Sequence, residues 1–114
     1  ILGICLGQQL MAKLYGGEVI TADIGEYAES EIIVDDEDEI LKGLSPSFSA
    51  WVSHKDEVSG LPPDFVKLAH SATCGIEAMA HKSLPLYGVQ FHPEVEHTPK
   101  GPAIFKNFLG ICGL

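Results

Sequence analysis

The chain opens on an apolar run, Ile1-Leu2-Gly3-Ile4, which reads as a buried parallel strand ending at Cys5. From Gly7 to Leu14 the pattern changes. Leu10, Met11 and Leu14 recur at helical spacing, and Gly16-Gly17 stops the helix. Cys5 therefore sits where a strand gives way to a helix. Short strands are expected at Glu18 to Thr21 and at Tyr27 to Val34. The acidic run Asp35 to Glu39 suits a solvated turn and the N-terminus of a short helix reaching Leu44. Ser45-Pro46-Ser47 is a loop, Phe48 to Val52 is rich in strand formers, and Pro62-Pro63 breaks the segment from Asp56 to Leu61. Val66 to Ala69, Gly75 to Ala80 and Leu86 to Gln90 read as three closely spaced strands. Pro93 to Gly101 is a loop, Pro102 is a good first helical residue, and Ala103 to Leu109 is a last helix. The alternation is that of an α/β domain, with no repeat and no internal linker.

Composition narrows the function classes. The 114 residues carry seven basic and sixteen acidic side chains, a formal net charge of −9. That balance argues against a nucleic-acid groove or an anionic membrane as partner. No apolar stretch is long enough to cross a bilayer, and no signal peptide is visible. Three cysteines at wide spacing do not suggest a disulfide framework. The five histidines form no metal motif. His92-Pro93-Glu94 matches half of a zinc-deaminase signature, but the Pro-Cys-x-x-Cys half is missing. No metal is expected. The chain lacks an initial Met and starts inside a strand, so the expectation is a single domain over 1–114 whose upstream part is missing.

Gly3-Ile4-Cys5-Leu6-Gly7 has the form of a nucleophile elbow with cysteine as nucleophile. A sharp strand-to-helix turn strains the nucleophile's backbone and asks for small neighbours, hence Gly3 and Gly7. It also sets the sulfur beside a helix N-terminus, which favours a thiolate. Lowering a thiol pKa by about two units requires about 2.7 kcal/mol. An exposed helix terminus supplies about 0.3–1 kcal/mol, and about 2 when partly buried, so a histidine is wanted as well. The Leu6 backbone N–H is placed as an oxyanion donor. Taken alone, the pentapeptide leaves open whether Cys5 is a nucleophile or an ordinary core cysteine. Cys74 and Cys112 have no comparable setting.

Tyr87 to Glu94 is a strand running into a turn, with His92 at the strand's end and Glu94 two residues on. A carboxylate beside an imidazole fixes its tautomer and stabilises the imidazolium. Together Gly-Ile-Cys-Leu-Gly-Gln-Gln (3–9) and Gly-Val-Gln-Phe-His-Pro-Glu (88–94) resemble the class I, or triad-type, glutamine amidotransferases. Trp51-Val52-Ser53-His54-Lys55-Asp56 and Glu94-Val95-Glu96-His97-Thr98 are similar to stretches of that family's GMP synthetase branch, with Lys55 in place of the commoner Gly.

This resemblance spans the chain. It implies the C-terminal part of a flavodoxin-like open, mostly parallel sheet flanked by helices. It implies glutamine hydrolysis by Cys5, His92 and Glu94, with Gln9, Ser53 and His54 at the substrate. His97 and Thr98 would shape the site or face a partner. His70 and His81 are expected to be structural, and Glu77 matches no motif. The implied location of the protein is the cytoplasm, and the implied partner is a separate ATP-pyrophosphatase that aminates XMP. ATP and Mg would bind there, and this chain would need no cofactor. Other outlets are carbamoyl phosphate, anthranilate or CTP synthesis. A silent partner-binding module and a γ-glutamyl peptidase are the competing classes. The family's second oxyanion donor lies upstream of the nucleophile, so these 114 residues alone are expected to be nearly inactive.

Overall fold

A computed structural model describes residues 1–114. The chain runs β1 (Leu2–Ile4), α1 (Leu6–Leu14), β2 (Glu18–Val34), β3 (Ser47–Gly60), β4 (Phe65–His70), β5 (Ala78–His81), β6 (Tyr87–Val89) and α2 (Gly101–Ile111). All six strands join one sheet in the order β1-β6-β5-β4-β2-β3.

Only β1 and β6 pair in parallel, and the other four pairings are antiparallel. The α/β architecture matches expectation, but this part of the sheet is not mostly parallel. The reason lies in the connections. The loops from β2 to β3, from β4 to β5 and from β5 to β6 each join antiparallel neighbours, and the loop from β3 to β4 passes β2, which pairs antiparallel with both; no crossover helix lies among these strands to make parallel neighbours of them.

The two strands expected between Glu18 and Val34 are one long strand, β2, with irregular pairing to β3 between Thr21 and Glu26. Strand β3 alternates cleanly: Phe48, Ala50, Val52 and His54 are buried while Ser49, Ser53 and Lys55 face solvent. The helix expected after the acidic run is absent, and hydrogen-bonded turns take its place. Asp36 Oδ1 accepts the Asp38 N–H at 3.0 Å, and Asp38 adopts φ 48°. Short acidic side chains here compete for the backbone donors a helix would use. Ile40, Leu41 and Leu44 still reach the core.

Helix α1 forms where expected and buries Met11 as expected, but the rest of its buried face differs. Gln8, Gln9, Met11 and Ala12 point inward, whereas Leu10 and Leu14 are exposed. Glutamine amides can occupy the buried face because the interior supplies acceptors: Gln9 Nε2 donates to the Asp56 carbonyl at 2.8 Å, and Gln8 Nε2 to the Ile76 carbonyl at 3.4 Å, while Gln8 Oε1 has no partner.

Helix α2 begins at Gly101, beside Pro102, and anchors Ile104 in the core. A Cβ on Gly101 would collide with the Pro93 carbonyl oxygen and stand 3.0 Å from its carbon. Backbone atoms cannot yield as a flexible side chain can. Gly101→Ala is therefore expected to cost about 3 kcal/mol or more. A urea midpoint unchanged from the parent would rule this out.

Candidate active site

Cys5 is the N-cap of α1 and has φ 54° and ψ −105°, a left-handed backbone that a non-glycine residue adopts only at a cost. Its N–H donates to the Val89 carbonyl at 2.7 Å, which locks the elbow to β6. Gly3 is sterically required: a Cβ there would stand 2.7 Å from Gly7 C and O. Gly7 is not, because a Cβ at that position meets nothing within 4 Å.

The sulfur has two hydrogen-bonding neighbours. Gln90 Nε2 donates to it at 3.4 Å, and the thiol points to the Ser53 carbonyl at 3.8 Å. Burial pushes the Cys5 thiol up, against the opposing effects of the Leu6 N–H and Gln90, while Glu94 adds to the rise. The expected lowering is not found in this state. Burial outweighs the Leu6 N–H and Gln90, and His92 gives the sulfur no hydrogen bond that would add to them.

His92 ends the segment that follows β6, and its N–H donates to the Trp51 carbonyl at 2.9 Å. Thr98 Oγ1 accepts the Trp51 N–H at 2.9 Å and donates to the His92 carbonyl at 2.6 Å. One buried hydroxyl thus fastens the His92 turn to β3. His97 lies against the Trp51 ring, with centroids 5.1 Å apart. His92 Nδ1 meets Glu94 Oε2 at 3.0 Å, which leaves Nε2 free to take a proton.

The other expected site residues divide by face. Ser53 is exposed on β3, and its carbonyl faces the sulfur. His54, the next residue, points into the interior. There Nε2 lies 2.5 Å from Glu26 Oε2 and Nδ1 2.9 Å from the Asp56 carbonyl. A carbonyl only accepts, so Nδ1 carries a hydrogen, and the short Nε2 contact takes the second. Burial opposes ionisation of both partners, but their mutual hydrogen bond prevails. It raises His54 and, with help from Thr73 and Ser71, holds Glu26 down to about 2. Both shifts favour the ion pair of imidazolium and carboxylate. Gln9 is also buried, and its Nε2 donates to the Asp56 carbonyl at 2.8 Å and to Gln90 Oε1 at 3.2 Å.

Glu26, Glu77 and Gln90 are not among the expected site residues. Glu77 is fully buried, and neither of its carboxylate oxygens has a hydrogen-bond partner. Burial, reinforced by nearby Glu26, pushes it up to about 8, so it is protonated at neutral pH. Glu26, His54, Cys74 and Glu77 place potential metal-ligating atoms within 4.8 Å of one another. Most of those atoms are already committed. His54, Ser71 and Thr73 bond to Glu26, and Cys74 Sγ donates to the Ile76 carbonyl at 3.6 Å. Only the Glu77 carboxyl is left without a hydrogen-bond partner. Three separate stretches of chain, around Glu26, His54 and 71–77, supply the cluster, so no local motif could have revealed it.

A strained cysteine elbow beside a His-x-Glu turn on this sheet marks a class. Residues 1–112 match the family model "Glutamine amidotransferase class-I", and the chain belongs to that family. Within it, the chain is 56% identical over 112 residues to the glutamine-hydrolyzing GMP synthase subunit of Methanothermobacter thermautotrophicus. That match covers 98% of this chain and 60% of the relative. The corresponding protein of Methanococcus aeolicus is 56% identical over 114 residues, covering 100% and 61%. A crystal structure from Thermoplasma acidophilum, of a protein provisionally named as the same GMP synthase component, superposes with a TM-score of 0.96 at 44% identity. It covers 99% of this chain and 57% of that one. The chain thus spans about 60% of the length of the curated relatives it matches.

Proposed function

We propose that the protein of which this chain is a part hydrolyses glutamine and delivers the ammonia to a synthetase that converts XMP to GMP. The observation that carries this reading is the Cys5 elbow, with its φ of 54°, at the end of β1, whose parallel neighbour β6 leads into the His92–Glu94 pair. The names of the 56% identical relatives support the GMP branch.

Cys5 Sγ attacks the amide carbon of the glutamine side chain, and its proton passes to His92 Nε2. The Leu6 N–H stabilises the oxyanion. Collapse of the tetrahedral intermediate breaks the C–N bond as His92 returns the proton to the leaving ammonia. Water, deprotonated by His92, then cleaves the thioester to give glutamate and free Cys5. Glu94, on Nδ1, orients the ring and stabilises its charged form. The synthetase is a separate ATP-pyrophosphatase, which binds ATP and Mg; the protein itself is cytoplasmic, and this chain uses no cofactor.

The test is ammonia release from glutamine by the full-length protein, alone and with that synthetase, ATP, Mg and XMP. Release that rises with the partner and XMP, with GMP as product, is expected. Hydrolysis indifferent to both would eliminate the GMP branch. No hydrolysis in any mixture would eliminate the enzyme.

A further inference from the structure

We infer that Gln90 is a catalytic residue of the reaction proposed above: its side-chain amide donates to Cys5 Sγ and stabilises the thiolate, and Gln9 fixes it in that orientation. The orientation follows from one fixed point. The Asp56 carbonyl can only accept, so the Gln9 atom 2.8 Å away must be the NH2 group. The second hydrogen of that group faces Gln90 at 3.2 Å, so Gln90 presents its oxygen there. Its NH2 is thereby turned to the sulfur, 3.4 Å away. Asp56 is held in turn, because its carbonyl also accepts from His54 Nδ1 at 2.9 Å, and His54 is paired with buried Glu26. An unbroken set of hydrogen bonds therefore runs from a buried ion pair to the nucleophile.

Gln90 is fully buried, so its amide loses nothing to water, and it is rigid at both ends. Its backbone N–H donates to the Glu77 carbonyl at 2.8 Å. A neutral amide donor favours the thiolate without neutralising it, which suits a nucleophile better than a permanent cation would. The other groups near the sulfur are few. The Leu6 N–H on α1 also favours the thiolate, and Glu94 on the turn after β6 opposes it. Strand β3 presents the Ser53 carbonyl, which holds the neutral thiol. His92 gives the sulfur no hydrogen bond in this state and is engaged by Glu94.

The test is the pH dependence of Cys5 alkylation by iodoacetamide in the full-length protein without glutamine, read on the Cys5 peptide by mass spectrometry. Gln90→Met keeps length and removes the donor. Its alkylation midpoint is expected to rise by about one to two pH units, making Cys5 about 10- to 100-fold less reactive near neutrality. Its kcat should fall with little change in KM, because the contact is to the nucleophile and not to glutamine. Gln9→Met leaves the donor but frees it, and a smaller shift of the same sign is expected. A folded Gln90→Met protein with the parent midpoint would overturn the inference. Should that variant not fold, an unshifted midpoint in Gln9→Met would do the same. Alkylation needs no turnover, so the inference and the functional reading fail separately. A midpoint shift in Gln90→Met, with a parent that never hydrolyses glutamine, would defeat only the latter.

Discussion

In the full-length protein, Cys5→Ala is expected to lower glutamine hydrolysis by on the order of 10⁴-fold or more, to the limit of detection. The size of the loss follows from the chemistry. Covalent catalysis divides amide hydrolysis into two easier steps, and without the sulfur the remaining groups can only bind and polarise the substrate. Neither other thiol can replace it. Cys74 is buried, donates to the Ile76 carbonyl, and has its thiol pushed up by burial. Cys112 is exposed, beyond the end of α2. The fold should survive, since alanine at φ 54° is no more strained than cysteine. Ammonia release and a thermal melt, measured on the same preparation, decide the matter. Residual hydrolysis within about tenfold of the parent in a folded variant would remove Cys5 from the mechanism.

The parts of the site legible in the sequence are those built from neighbouring residues. Gly3-Ile4-Cys5 announces the elbow because a tight turn needs its glycine next to its nucleophile, and a Cβ at Gly3 would indeed strike the Gly7 backbone. His92 and Glu94 are two residues apart, so their contact can be read directly. The alternation of Phe48, Ala50, Val52 and His54 is enough to send His54 inward, yet its place in the motif next to Ser53 groups the two at the substrate. The hidden parts depend on residues distant in sequence. Glu26 and His54 are 28 residues apart, and Gln90 and Cys5 are 85 apart. Helix α1 shows the same limit. Periodicity favours Leu10 and Leu14 as its core face, yet the buried glutamines win because Gly88 leaves room for Gln8, whose Cγ would be 2.8 Å from a Cβ there. Apolar spacing cannot register that kind of fit.

The buried acid cluster leads to a second large effect, this time on stability. Glu77 has its pKa pushed up to about 8 by burial and by Glu26, against an ordinary value of 4.5. Between those values the folded protein holds a proton that the unfolded chain has released. Stability must therefore fall as pH rises from about 4.5 to about 8 and level off beyond. At about 1.4 kcal/mol per unit, the loss is on the order of 3–5 kcal/mol. His54 adds to the same limb: its raised pKa gives stability that is complete below about 6.5 and is lost as pH climbs through the folded value. Glu26 acts at the other end, since a carboxylate held at about 2 stabilises the fold above its ordinary 4.5 and fails only as pH falls toward 2. Glu77→Gln keeps the shape and removes the titration. Chemical denaturation of the full-length protein at pH 5, 7 and 8.5 should show the parent weakening steadily and the variant holding most of its stability, so that the variant is the more stable at pH 8.5. Parallel loss in both proteins would mean that Glu77 titrates normally and that its buried carboxyl has found partners to ionise against.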